Sequence, residues 1–126
     1  MMMKSPMNLP TEHTEQALFV QWTLRMQKHI PELGLLFAIP NGGKRTKSVA
    51  ARLKLEGVKS GVPDLFLPVA RQDCHGLFIE MKRAEGGSLS LTQKSFIALL
   101  RSQGYRVEVA NGFLEAKKTI IDYFDE

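Results

Sequence analysis

The apolar residues of this chain come in short runs broken by turn residues, and the spacing within the runs changes from one to the next. Leu18, Trp22 and Met26 recur every four positions, which predicts a helix with one apolar face. Thr11 or Thr14 is positioned to cap it, it extends to about His29, and Pro31 stops it. "LGLLFAIP" (33–40) predicts a short buried strand, and "NGGKRTK" (41–47) a loop, because Asn-Gly-Gly tolerates positive φ. Ser48 is the expected cap of a short helix, "VAARLKLEG", ended by Gly57. After the loop "VKSGVP", the runs "DLFLPVA" and "GLFIEMK" predict two strands joined through "RQDCH".

The remainder alternates in the same way. "AEGGS" is a loop, and Ser90 precedes the helix "LTQKSFIALLRSQG", closed by Gly104. "YRVEVA" alternates apolar and polar residues as a half-buried strand does, and Asn111-Gly112 turns into a last helix running to about Phe124. The expected order is α-β-α-β-β-α-β-α, an α/β fold with a mixed sheet flanked by helices. Residues 1–10 are expected to be a flexible N-terminal segment and 11–126 one domain. Trp22 is expected in the core. The apolar last helix, with Ile120, Ile121, Tyr123 and Phe124, suits either an interface or packing on the sheet.

Charge enters at one telling place. In "GVPDLFLPVARQDCHGLFIEMKR" (61–83) the two most apolar strands carry Asp64 at the start of one and Glu80 and Lys82 near the end of the other. Glu80 and Lys82 are two apart and share a strand face. A turn centred near Asp73 sets Asp64 opposite Lys82, with Glu80 as diagonal neighbour on the same face. Two carboxylates this close repel unless a proton or cation lies between them. Hard divalent cations such as Mg²⁺ take oxygen ligands, and a lysine beside them can neutralise charge on a phosphate under attack. The plainer alternative is an ion pair at strand ends, with Lys82 simply paired to Asp64.

Composition narrows the class without deciding it. The chain has 126 residues, with 17 Lys and Arg against 13 Asp and Glu, a net charge of +4. Its pI near 9.4 suits a polyanionic partner. The single cysteine, Cys74, excludes an internal disulfide and fits a reducing compartment, so a cytoplasmic location is expected. No apolar run approaches the roughly 18 residues of a membrane span, and no secretory signal is seen. The histidines His13, His29 and His75 have no metal-ligand spacing, so zinc is not expected.

Pro63-Asp64 followed by Glu80-x-Lys82 has the form P-D-x(n)-E-x-K and resembles the PD-(D/E)xK nuclease superfamily. "NGGKR" (41–45), "GVKSGVPDLFL" (57–67), "LFIEMKRAEGGSLSLTQ" (77–93) and "LRSQGYRVEVANG" (100–112) together resemble its VRR-NUC domain, which stands alone in phages and bacteria. The resemblance spans about residues 12 to 124 and implies a restriction-endonuclease-like core. It also implies a Mg²⁺- or Mn²⁺-dependent endonuclease acting on DNA, with four-way Holliday junctions or related branched DNA as substrate and a two-fold homodimer as the acting form. Asp64, Glu80 and the Met81 backbone carbonyl would hold the metal, and Lys82 would be the catalytic lysine. Glu15 would complete the set from the first helix, with Glu12 the competing choice, and Gln93 would support the site. Asn41, Gly42, Gly43, Lys44, Arg45, Lys47, Arg52, Lys59 and Arg83 are the expected DNA contacts, because positive charge beside a nuclease site follows a phosphate backbone. The alternatives are a catalytically silent DNA-binding module, or a nuclease for flaps or linear duplex.

Overall fold

The computed structural model describes residues 11–40 and 45–125. Among the described residues, four α-helices and four strands follow one another in the expected order. They are α1 (Glu12–Met26), β1 (Phe37–Ala38), α2 (Lys47–Leu55), β2 (Leu65–Leu67), β3 (Leu77–Lys82), α3 (Leu91–Ser102), β4 (Arg106–Asn111) and α4 (Phe113–Phe124). The strands form one mixed sheet in the order β1-β2-β3-β4. β2 pairs antiparallel with both β1 and β3, and β3 pairs parallel with β4 through the α3 crossover. Among the described residues no helix is long and apolar enough to cross a membrane.

Both faces of β3 are covered, and all six of its residues are buried. Leu77, Ile79 and Met81 face α1 and α4, where they pack with Phe19, Trp22, Ile120 and Tyr123. Phe78 faces α3, packing with Ile97 and Val107. Glu80 and Lys82 share the Phe78 face by strand alternation, so the charges sit on the α3 side of the sheet. The last helix is settled by this packing: Ile120 and Tyr123 are fully buried, whereas Ile121 is half exposed.

Several local expectations are corrected. The α1 core face is Glu15, Phe19, Trp22 and Thr23, and Leu18 is exposed, so the true stripe is offset from the Leu18–Trp22–Met26 one. Residues 33–40 are not a buried strand. Pro31 opens a 3₁₀ turn, Pro31–Leu35, because its fixed φ suits a first helical position, and only Phe37 and Ala38 pair, with both exposed. Thr46 rather than Ser48 caps α2, its side chain accepting from the Val49 N–H at 3.2 Å. β2 stops at Leu67, since Pro68 has no N–H for the ladder, and the Val69 N–H turns back to the Leu67 carbonyl.

The hairpin register is corrected too. Arg71 and Cys74 pair around Gln72 and Asp73, which both take positive φ (53° and 61°), as a tight two-residue hairpin turn requires. Pro68-Val69-Ala70 then faces His75-Gly76, one residue more on the first side. The ladder beyond it pairs Leu65 with Ile79 and Phe66 with Phe78. Extended by one step, that register sets Asp64 opposite Glu80 and not opposite Lys82. The shift is two residues, so all three charges stay on one face.

Candidate active site

The charged cluster lies where the C-terminal end of β3 meets the start of three helices. Glu12 opens α1, Gln93 stands in the first turn of α3, and Phe113 opens α4. Helix N-termini carry unsatisfied N–H groups and the positive end of the backbone dipole, so this corner favours carboxylates and would favour phosphate oxygens.

Asp64 and Glu80 form its centre. Asp64 is half-buried just before the start of β2, and its Oδ2 accepts from the Met81 N–H at 2.8 Å. Glu80 is 3% exposed. Burial is the main cause that pushes Glu80 up to about 8, the Asp64 charge adds to it, and Lys82 opposes it. Asp64 is raised as well, first by burial, while the Met81 N–H and a hydrogen bond from Glu80 oppose the rise. Glu80 therefore holds its proton more tightly than an ordinary carboxylate, and the nearby Asp64 charge favours that protonated form.

Lys82 reaches Glu80 and not Asp64 with its ion pair. Its Nζ is 3.5 Å from Glu80 Oε2, 3.9 Å from Glu12 Oε1 and 3.3 Å from Gln93 Oε1. Its stem runs against Gly87, where a Cβ would come within 2.7 Å of the lysine Cβ, so the "EGG" loop needs its small residue there. Gln93 spans the cluster. Its Nε2 donates to Glu80 Oε2 at 3.0 Å, and its Oε1 accepts from the Ser90 N–H at 2.9 Å. Ser90 Oγ in turn accepts from the Gln93 N–H, which closes a capping box on α3. The glutamine thus both completes the capping box that Ser90 begins and supports the charged pair.

The two α1 acids separate. Glu15 is 6% exposed, and its Oε1 accepts from the Phe113 N–H at 2.9 Å. Gly112 precedes that helix with φ 94° and no side chain to cap it, so Glu15 caps α4 from α1. Glu12 is half exposed, lies beside Lys82, and its charge raises Asp64. Glu12, the competing choice from sequence, is thus the α1 acid that the Asp64 and Lys82 side chains feel.

A hard cation fits the donors present. Asp64 and Glu80 offer carboxylate oxygens that now need a proton to stay together. A strand residue directs its N–H and C=O to the same neighbour. Met81 gives its N–H to Asp64, so its carbonyl also points to the edge just ahead of the start of β2. Lys82 points the other way, its carbonyl accepting from Gly112 of the β4 end. The donor set of Asp64, Glu80 and the Met81 carbonyl is all oxygen, as Mg²⁺ and Mn²⁺ prefer. Among the described residues no three His, Cys, Asp or Glu side chains gather as a metal group, so the side-chain part of that set is the pair.

Of the expected DNA contacts, Asn41, Gly42, Gly43 and Lys44 lie outside the described residues. Lys47 and Arg52 are exposed on α2, and Lys59 follows it. Arg83 is exposed one residue past Lys82. α2 buries none of its own residues and projects its charge outward. One residue that the sequence reading passed over is Phe96, an α3 aromatic only partly covered. Its signal was its position, three residues after Gln93.

A family model described as the VRR-NUC domain matches residues 7–114. A solved structure described as a VRR_NUC domain protein is similar over 92% of this chain and 89% of its own, with 32% identity and a TM-score of 0.79. No curated protein matches the chain.

Proposed function

The chain belongs to the VRR-NUC domain family, a nuclease-type family, and from that premise we infer that it is a metal-dependent DNA endonuclease for branched DNA. The observation that carries this reading is the buried Glu80 beside the half-buried Asp64, with Lys82 at 3.5 Å from Glu80. A protein that only held DNA would gain nothing by burying Glu80 beside Asp64 where phosphates must approach, since the Asp64 charge raises the cost of ionising Glu80.

Asp64, Glu80 and the Met81 carbonyl would hold Mg²⁺ or Mn²⁺, which when bound polarises a phosphoryl oxygen and lowers the pKa of water. The chain's own groups do the rest. Lys82 stands where its ammonium can orient the attacking water and offset charge growing on the phosphorus oxygens. Gln93 fixes the Glu80 carboxylate and the Lys82 ammonium in one arrangement. The N-termini of α1, α3 and α4 add partial positive charge around the phosphate. Arg45, Lys47, Arg52, Lys59 and Arg83 would follow the backbone on either side, together with the segment 41–44. A two-fold dimer would give two such sites and the larger footprint that a four-way junction needs.

The test is a cleavage panel of four-way junction, flap, splayed arm, linear duplex and single strand, each with Mg²⁺, with Mn²⁺ and with EDTA. Cutting of the branched substrates that EDTA abolishes is expected, with a dimer by light scattering at micromolar concentration. No cutting of any DNA with either metal would overturn the reading. Cutting by a strict monomer would overturn the paired-site part alone.

A further inference from the structure

An open cavity of about 550 Å³ lies between α2 and α3, on the same side of the sheet as Glu80 and Lys82. Among the described residues its wall includes Arg45, Leu53, Lys54, Val58, Lys59 and Phe96. The lining combines three cations with an apolar wall that holds one aromatic ring, and among the described lining residues none is a carboxylate. Its volume falls in the range of roughly 300–1,000 Å³ that suits small ligands or single nucleotide units.

Its position ties it to the carboxylate pair. Phe96 lies three residues along α3 from Gln93, a rise of about 4.5 Å, and close to the same helix face. The loop that carries Lys59 continues directly into Asp64. At Gly61 this loop lies so close to the first turn of α3 that a Cβ would come within 2.8 Å of the Thr92 carbonyl. The loop that leads to Asp64 and the helix that carries Gln93 thus both border the cavity.

We propose that this cavity takes one unpaired nucleotide of the DNA beside the phosphate that is cut. The base lies against Phe96, with Leu53 and Val58 as the remaining apolar wall. Arg45, Lys54 and Lys59 hold its phosphate. Any base offers a face to an aromatic ring, so the seat is indifferent to sequence. Bases already unpaired in a flap enter at little cost, and the pair at the branch point of a junction, whose stack is interrupted, opens more easily than a base in continuous duplex, which must first leave its stack. The preference for branched DNA would then come from this seat. The proposal rests on the nuclease reading above, and the experiment separates the two.

The full chain is first used with Mg²⁺ to map the cut phosphate on a flap and a four-way junction. Binding is then measured in EDTA to the same branched DNAs and to a fully paired duplex. Phe96→Leu keeps an apolar side chain of similar size and removes the ring face. It should weaken binding to the branched DNAs about tenfold while changing duplex binding less than about twofold. An abasic site beside the cut phosphate should cost the wild type the same factor, and Phe96→Leu nothing further. Phe96→Ala should match Phe96→Leu, and circular dichroism checks that each is folded. Equal loss on branched and paired DNA, no loss in Phe96→Leu, or an abasic site without effect would overturn the seat and leave the nuclease reading intact. Failure to cut any DNA in the mapping step would overturn both.

Discussion

Gln93 Nε2 donates to Glu80 Oε2 at 3.0 Å, while Gln93 Oε1 accepts from the Ser90 N–H at 2.9 Å and from Lys82 Nζ at 3.3 Å. One amide thus locks the start of α3 to the end of β3. Gln93→Ala should lose both roles. The lost cap costs about 1 kcal/mol, and cleavage should fall at least about tenfold because Glu80 and Lys82 lose their common partner. Gln93→Glu can restore the capping box, since glutamate serves equally at that position. It also sets a second negative charge against Glu80. Its melting temperature should recover while its cleavage stays low, which thermal melting and cleavage rates on the same samples will check.

Burial and the Asp64 charge raise Glu80 from an ordinary 4.5 to about 8. The folded protein therefore keeps a proton that the unfolded chain has released. The resulting stability is fully present below about pH 4.5 and is lost as pH rises through about 8. Melting in EDTA should accordingly show a falling Tm between about pH 5 and about pH 9, and Glu80→Gln should flatten the fall. A cation between the carboxylates replaces the proton, so the Tm gain from added Mg²⁺ should grow over the same window. A Tm gain independent of pH would contradict binding at this pair.

Asp64 and Lys82 should separate metal holding from chemistry. Asp64→Asn keeps an oxygen for the Met81 N–H, so the fold should survive, but a charged ligand is gone. Both the Mg²⁺-dependent Tm gain and cleavage should be lost. Lys82→Met keeps the stem that packs against Gly87 and removes only the ammonium. Its Tm gain with Mg²⁺ should persist while cleavage drops about 10²- to 10³-fold, the usual cost of losing one group that stabilises a transition state. Loss of the Mg²⁺ response in Lys82→Met would make the lysine part of the cation's support instead.

Where the sequence was legible, the signals were local. Ser90 ahead of "LTQ", Gly104, the alternation of "YRVEVA" and the Gly112 turn all carry their conformation in a few residues, and these elements stand as expected. The apolar run 33–40 misled because such a run suits a strand or a buried turn equally, and the fixed φ of Pro31 decided for the turn. The hairpin register depended on the two-residue turn at Gln72-Asp73 and on Pro68, whose missing N–H ends β2 and adds a residue on one side, each moving the pairing by one residue, effects that strand periodicity does not show. The shared face of Asp64, Glu80 and Lys82 survived because the error was two residues, and strand faces repeat every two. The roles within α1 were not legible at all. Glu12 and Glu15 are both acids in a first turn, and only the approach of α4, 98 residues further along for the Glu15 bond, tells them apart.

That distinction gives the last prediction. Glu15 is buried and accepts the Phe113 N–H at 2.9 Å, so Glu15→Ala strands a buried donor at a helix start that Gly112 cannot cap. The expected cost is about 2 kcal/mol, or roughly 5–10 °C in Tm for a chain of this length. Glu15→Gln keeps an accepting oxygen and should regain most of that stability. Glu12 is half exposed at 3.9 Å from Lys82 Nζ, and Glu12→Gln should move Tm by less than about 0.5 kcal/mol equivalent. Its charge, however, acts on both Asp64 and Lys82, so cleavage and the Mg²⁺ response should both fall. Four melting curves and four cleavage rates decide the matter. Stability should track Glu15 and activity should track Glu12. A fully active Glu12→Gln beside a stable but inactive Glu15→Gln would transfer the α1 acid's role to Glu15.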